Sequence, residues 1–334
     1  MQSLTVLNTQ TELATLNNGN QLSDTAKALI TKSKADGTTV LYKKHISYFC
    51  DWCKKEGVNF AVTYSNDKIS IDGLESLSSI DVANYVSHLV SDGKKISTII
   101  IALAAINNLT TPFGYTPAKG YDVKLVLDGA KRTIGVAKKK AKAIRSKQIV
   151  FNLNAINEIY PNTAQRLRNT ALLLLGFSGA FRRSELVALK VSDLVQNEKG
   201  LLVTIRKSKT DQFGEGKQKP IPTSKTKETC PVAALMQWIT FAGLKGEDFI
   251  FASIHKSGII QPKPLAGKDV SLIVKRVLGK EFSAHGLRGG FITEAFEKGF
   301  DVKIIQQTTG QITDAVTNSY YQSKKQMDAA IDIW

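Results

Sequence analysis

Residues 284–321 read AHGLRGGFITEAFEKGFDVKIIQQTTGQITDAVTNSYY, and this stretch decides how the rest of the chain is interpreted. His285 and Arg288 stand three residues apart, a spacing that puts both side chains on one face of a helix. Tyr320 follows in a polar run. A guanidinium offers a planar fork of donors for phosphate oxygens, and a tyrosine hydroxyl can act as a covalent nucleophile. The stretch therefore predicts a phosphate site, provided that upstream residues supply the remaining groups.

Positive charge is the strongest bulk property of the chain. The 334 residues include 45 Lys and Arg against 29 Asp and Glu, which gives a formal net charge of +16. A balance this basic predicts a polyanionic partner, and we expect that partner to be nucleic acid. The alternative is a basic enzyme with no such specialisation.

The composition is that of a globular protein, with 43% hydrophobic residues. No apolar run approaches the roughly 20 residues of a membrane span, and the N-terminus lacks the pattern of a secretory signal. We therefore expect a cytoplasmic protein with no membrane partner. Cys50 and Cys53 lack the second pair of ligands that a zinc site needs, so all three cysteines are interpreted as structural.

Helical periodicity dominates the first part of the chain. Residues 1–36 are polar and weakly periodic, and we predict a flexible N-terminal segment. Residues 37–134 are predicted to form an all-helical domain of four or five helices. Gly57 is expected to end the first clear helix, and Ser78 with Asp81 resembles a capping box.

Residues 135–148, GVAKKKAKAIRSKQ, are predicted to be a basic linker between two domains. This segment is either a solvated tether or a strap lying across a phosphate backbone. We favour the strap, because clustered cations release counterions when they bind a polyanion. The predicted nucleic-acid contacts are Lys43, Lys44, Lys94, Lys95, Lys138, Lys139, Lys140, Lys142 and Arg145.

Residues 149–334 mix helices with a few strands. Two strand-like segments, GLLVTIRKSKT and KQKPIPTS, flank the turn DQFGEG, and a break at GFSGAF interrupts a long apolar helix. Pro231 suits the first turn of a later helix. The predicted fold class is mainly α with a small antiparallel β-sheet. The chain closes on a predicted helix, QMDAAIDIW.

Several motifs in this region resemble the tyrosine recombinases, the phage integrase family. SGAFRRSELVAL resembles the first-arginine motif of that family, HGLR matches its H-x-L-R box, and TGQITDAVTNSYY resembles its closing segment. The motifs follow the order of the family, and the resemblance covers about residues 150–322. It implies a two-domain, C-shaped clamp in which a helical core-binding domain precedes the catalytic domain at 149–334.

The resemblance implies a catalytic role at specific positions. Arg182 stands three residues before Glu185 and takes the place of the first arginine, whereas Arg183 takes a variable place. Lys209 fits the lysine of the hairpin, with Lys207 as its competitor. The implied catalytic set is Arg182, Glu185, Lys209, His285, Arg288, Gln311 and Tyr320.

The C-terminal part of this set includes one alternative and two unusual features. Tyr321 competes with Tyr320 as the nucleophile. Gln311 departs from the family, which usually has His or Trp there, although an amide can still donate to a phosphate oxygen. Gly289 and Gly290 follow Arg288 and predict a backbone that is either flexible or closely approached.

The resemblance also implies a reaction. Arg182 and Arg288 would hold the scissile phosphate, Tyr320 would attack it with help from His285, and Lys209 would protonate the departing 5′ oxygen. We expect no cofactor, since neither metal nor ATP is needed for this exchange. Recombination further implies four protomers on two DNA duplexes and a Holliday junction. The terminal helix would then dock into a neighbouring subunit or pack on its own domain.

Two other functions remain open from the sequence. A type IB topoisomerase shares this chemistry but relaxes supercoils as a monomer, and a catalytically silent protein on the same fold would only bind DNA. The compact length and the terminal helix favour recombination over relaxation. The nearly complete catalytic set argues against a silent protein.

Overall fold

A computed structural model of the chain describes residues 4–7, 36–65, 68–136, 141–206 and 216–310. The chain divides into two compact units, one before and one after the boundary between Lys138 and Lys139.

Four α-helices form the framework of the first unit, within its described residues. They are α1 (Asp36–Glu56), α2 (Ser79–Ser91), α3 (Ile96–Thr110) and α4 (Tyr121–Ile134). Helix α1 stops before Gly57, which has a φ of 72°. The predicted capping box is confirmed, because the Ser78 hydroxyl accepts from the Asp81 N–H and the Asp81 carboxylate accepts from the Ser78 N–H.

The prediction of an all-helical first domain is wrong. A three-stranded antiparallel sheet of order β1-β3-β2 is formed by β1 (Leu4–Leu7), β2 (Ala61–Ser65) and β3 (Lys68–Asp72). The short strands escaped notice because their alternation covers few residues, of which Ile69 and Ile71 are buried. Strand β1 also lies in the segment predicted to be flexible, and the rest of 1–35 is outside the described residues.

The prediction that no apolar run approaches the length of a membrane span is wrong for helix α3 and the turn after it. Ile96–Phe113 has the length and the mean hydropathy, 1.5, of a membrane span. Its side chains Ile99, Ala102 and Ile106 are nevertheless almost completely buried among the other helices of the unit. We therefore interpret it as the core helix of the first unit.

The described residues of the second unit contain helices and two small antiparallel sheets. The helices are α5 (Ser146–Asn154), α6 (Ile156–Ile159), α7 (Thr163–Ser178), α8 (Arg183–Ala188), α9 (Pro231–Ala242), α10 (Gly267–Leu278), α11 (Ala284–Glu297) and α12 (Val302–Thr309). One sheet has the order β4 (Leu194–Asn197), β5 (Gly200–Ile205) and β6 (Lys217–Pro222), and the other pairs β7 (Ala252–Ile254) with β8 (Ile260–Pro264). The predicted fold class is confirmed.

Helix α7 lies at the centre of the second unit. Leu172, Leu173 and Leu175 are fully buried in its core, as the apolar run predicts. Helix α9 packs against α7, and its Trp238 donates an indole hydrogen bond to the Ile250 carbonyl at 2.7 Å. Because the buried indole N–H has a hydrogen-bond partner, Trp238 fixes α9 against the core.

The end of the predicted basic linker is part of the second unit rather than a tether. Ile144 is fully buried, and its N–H donates to the Gly286 carbonyl at 3.0 Å. A Cβ at Gly290 would overlap the Ile144 carbonyl, so the prediction of a closely approached backbone is confirmed at that glycine. The basic composition of the stretch predicted a linker, and a single isoleucine among lysines gave no sign that Ile144 is buried in the core. Helix α5 then begins at Ser146, inside the predicted linker range.

Candidate functional site

The break predicted at GFSGAF is a sharp turn between α7 and α8. Ala180 has a φ of +46°, in the left-handed region that residues other than glycine rarely adopt. A Cβ at Gly179 would overlap the ring of Phe181, so only glycine fits there. The Gly179–Ala180 turn brings Arg182 to the start of α8, where its backbone is still extended.

Arg288 reaches this turn from helix α11. Its Nη1 donates to the Ala180 carbonyl at 2.8 Å, and the residue is only 2% exposed. A guanidinium this deeply buried is held in one orientation by its neighbours. The second predicted arginine is thus fixed to the turn that leads into the first.

Glu185 holds Arg182 in place. One carboxylate oxygen accepts from Arg182 Nη1 at 2.6 Å, and the other accepts from the Arg182 backbone N–H at 2.9 Å. Glu185 is buried, while Arg182 keeps part of its side chain accessible. Arg183 is exposed, as suits a residue in a variable position. The structure therefore brings together Arg182, Glu185 and Arg288.

Lys219 joins this cluster, although it is not among the predicted site residues. Its Nζ donates to the Gly179 carbonyl at 2.7 Å and lies 3.9 Å from Glu185 Oε2. The same atom lies 4.7 Å from the ring centroid of Phe181. The alternation of β6 carries a signal for this position, since Lys219 shares the inward face of the strand with the buried Ile221.

Burial, together with the positive charge of the site, lowers the pKa of Lys219 and of His285. Burial lowers the pKa of Lys219 to about 7, with further lowering by Arg288 and Arg182 and an opposing effect of Glu185. Partial desolvation, followed by the charges of Arg288 and Arg182, lowers the pKa of His285. His285 lies at the start of α11, where part of its side chain is accessible to solvent. Because its pKa lies below the ordinary 6.5, its imidazole is neutral near pH 7.

We expect folding stability to depend on pH through Lys219. Its pKa is about 7 in the folded protein against an ordinary 10.5, so the unfolded chain binds more protons between these values. Stability should therefore rise with pH above 7, by about 2 kcal/mol between pH 7 and 9 relative to a Lys219→Met variant. Urea denaturation of both proteins at pH 6, 7, 8 and 9 measures this difference.

The comparison between the two proteins isolates the titration. Any packing that the lysine side chain provides alters the free energy of unfolding by the same amount at every pH, because contacts of its methylene groups bind and release no proton. A difference that is constant from pH 6 to 9 would contradict the lowered pKa of Lys219.

The chain is anchored at the point where it leaves β5. Arg206, the last described residue before Lys207, donates from Nε to the buried carboxylate of Asp193 at 2.5 Å. Its Nη2 also donates to the Ser192 hydroxyl at 2.8 Å. These bonds fix the direction in which the chain leaves β5.

Several predicted site residues lie outside the described residues, namely Lys207, Lys209, Gln311, Tyr320, Tyr321, Lys138, Lys139 and Lys140. The described chain nevertheless approaches the site from the C-terminal side. Thr309 and Gly310 line one small cavity together with Arg182, Glu185 and Lys219. Gly310, the residue before Gln311, therefore lies beside Arg182.

The predicted nucleic-acid contacts that the structure describes fall into two groups. In the first unit, Lys43, Lys44, Lys94 and Lys95 are all exposed. In the second unit, Arg145 makes a double hydrogen bond with Glu297, at 2.6 and 2.8 Å, and Lys142 lies 3.6 Å from Glu281. These two cations therefore already have acidic partners, unlike a freely solvated strap.

Comparison with known proteins identifies the family of this chain. The model of the phage integrase family matches residues 143–327. An integrase/recombinase described as a XerD homologue, from Selenomonas ruminantium, is 30% identical over 319 residues, covering 92% of this chain and 88% of its own. The tyrosine recombinase XerD of Listeria innocua is 22% identical over 305 residues, covering 87% of this chain and 90% of its own.

Solved structures show the same fold at low sequence identity. A post-cleavage complex of the XerH site-specific recombinase on difH DNA has a TM-score of 0.58 at 17% identity, and covers 77% of this chain and 73% of that one. A lambda integrase dimer on a core site has a TM-score of 0.56 at 18% identity, and covers 96% and 83%. With the family model spanning more than half of its length, this chain belongs to the phage integrase family of tyrosine recombinases.

Proposed function

We propose that this protein is a site-specific DNA recombinase that cleaves and rejoins DNA through a 3′-phosphotyrosyl intermediate. The observation that carries the proposal is the convergence of Arg182 and Arg288 on one turn, with Glu185 bracing the first arginine. Two arginines anchored at the same short segment, one bound to the Ala180 carbonyl and one directly after it, suit the non-bridging oxygens of one phosphodiester. Preorganised charge of this kind is often the largest contribution to phosphoryl transfer.

In the proposed cleavage step, one bond to phosphorus forms and one breaks, and a proton is transferred at the attacking oxygen and at the leaving oxygen. The Tyr320 oxygen attacks phosphorus, and the bond from phosphorus to the 5′ oxygen breaks. His285 accepts the phenolic proton, which its neutral imidazole allows near pH 7. Lys209 donates a proton to the leaving 5′ oxygen. Rejoining reverses these transfers, and since the phosphotyrosyl link keeps the energy of the phosphodiester, ATP is not consumed.

The proposed DNA interface uses both units of the chain. Exposed lysines on α1 and before α3, including Lys44 and Lys94, supply cations in the first unit. A clamp made of the two units would enclose a duplex. Binding through such cations should weaken steeply as salt rises, because counterions are released from the DNA.

The proposed assembly is a homotetramer on two duplexes that passes through a Holliday junction. The second unit contains an apolar groove of about 970 Å³, lined by side chains such as Ile149, Leu174, Phe177 and Phe291. We propose that the C-terminal segment of a neighbouring protomer, QMDAAIDIW, fills this groove through its apolar residues. A structure of lambda integrase, 16% identical with a TM-score of 0.54, is a tetramer bound to a Holliday junction. DNA recombination also supports the expected cytoplasmic location.

Two assays on the same DNA test this function. A duplex is first selected from a random pool by binding to the protein, and is called the selected duplex below. A plasmid with two copies of it should give recombinant products, whereas a topoisomerase would only relax the plasmid and a silent protein would do neither. Relaxation without recombinants at any protein concentration would overturn the proposal in favour of a topoisomerase.

A further inference from the structure

We propose that Lys219 is a positioning residue of the recombination site, which orients Arg182 by holding both Glu185 and the Gly179–Ala180 turn. The inference rests on the proposed function, since Arg182 matters only if the site takes a phosphodiester. It adds a second lysine to the site, distinct from Lys209 on the hairpin.

The Gly179–Ala180 turn is held by side chains at two points. Lys219 Nζ donates to the Gly179 carbonyl from strand β6, at 2.7 Å, and Arg288 Nη1 donates to the next carbonyl, that of Ala180, from helix α11 at 2.8 Å. Two consecutive carbonyls of the turn thus accept hydrogen bonds from cationic side chains on two different elements, β6 and α11. The left-handed conformation of Ala180 is unfavourable by itself and needs such support.

Glu185 links Lys219 to Arg182. The Glu185 oxygen that accepts from the Arg182 backbone N–H, Oε2, is the one that lies 3.9 Å from Lys219 Nζ. The other oxygen binds the Arg182 guanidinium. Glu185 therefore lies between two cations, and the one on β6 opposes rotation of the carboxylate away from α8.

Burying a lysine at position 219 is unfavourable in free energy. Lys219 is 4% exposed and faces the charges of Arg182 and Arg288, and burial lowers its pKa to about 7. An apolar side chain would pack beside Phe181 without this cost, and buried ion pairs are often less stable than apolar replacements. A buried lysine in this position is thus better explained by orientation of the site than by stability.

Single-turnover kinetics with the selected duplex test the inference. We expect Lys219→Met to lower the saturating rate of formation of the SDS-resistant covalent complex at least tenfold, with Kd for the duplex within twofold of wild type. Lys219→Arg, which keeps the charge, should recover to within about threefold of wild type. Lys263→Met removes an exposed strand lysine and serves as the matched control, with an unchanged rate. A wild-type rate for Lys219→Met, or equal losses for Met and Arg, would overturn the proposal.

A double-mutant cycle separates positioning from packing. If Lys219 acts through Glu185, Lys219→Met should cost little further rate in a Glu185→Gln background, whereas additive losses would overturn the proposal. If Lys219→Met does not fold, Lys219→Gln replaces it, since the amide can donate to the Gly179 carbonyl but carries no charge for Glu185. Failure of the wild-type protein to form any covalent complex would instead refute the proposed function.

Discussion

Tyr320→Phe is expected to abolish the covalent complex between the protein and the selected duplex, with a loss on the order of 10⁴-fold or more in the rate of cleavage. Phenylalanine keeps the ring but removes the oxygen that would bond to phosphorus. Noncovalent binding should stay within about twofold of wild type, because the phosphate is held by the arginines. Denaturing gel electrophoresis of radiolabelled DNA measures the first quantity, and a gel-shift titration measures the second.

Tyr321→Phe is the matched control for this prediction. It makes the same chemical change one residue later, and we expect it to form the covalent complex at close to the wild-type rate. Loss of the complex in Tyr321→Phe but not in Tyr320→Phe would reverse the assignment of the nucleophile. Retention of the complex in both variants would contradict a tyrosine at either position.

The features that the sequence predicted correctly are governed by local rules. The capping box at Ser78 depends on residues three apart, and the break before Arg182 on a cluster of small residues. The spacing of His285 and Arg288 likewise places both on α11. Each of these is decided within one or two turns of chain, where single-residue preferences act.

The features that it missed depend on contacts between distant segments. Lys219 is one of many lysines in the sequence, and only the packing of β6 beside the turn at Gly179 makes it part of the site. Ile144 likewise sits in a basic stretch whose composition indicates a tether, yet its burial against α11 places it in the core. Periodicity cannot reveal such partners, because the pairing is set by the fold as a whole.

Gly290→Ala is expected to destabilise the second unit by about 3 kcal/mol or more, although alanine normally favours a helix over glycine. The added Cβ would overlap the carbonyl of Ile144, a backbone group that cannot rotate away. Relief requires the segment to leave the helix, which would break the hydrogen bond from Ile144 to the Gly286 carbonyl. Urea denaturation followed by circular dichroism should show the lowered midpoint, and amide hydrogen exchange should locate the loss of protection in α11.

Gly129→Ala provides the opposite outcome from the same chemical change. Gly129 lies in helix α4, is exposed, and has no atom within 4 Å of an added Cβ. There the substitution should stabilise the protein by about 0.5–1 kcal/mol, because glycine loses more backbone entropy on folding. If both variants gained stability, α11 would not be in contact with Ile144. Another contact would then have to position His285 and Arg288 next to the turn that precedes Arg182.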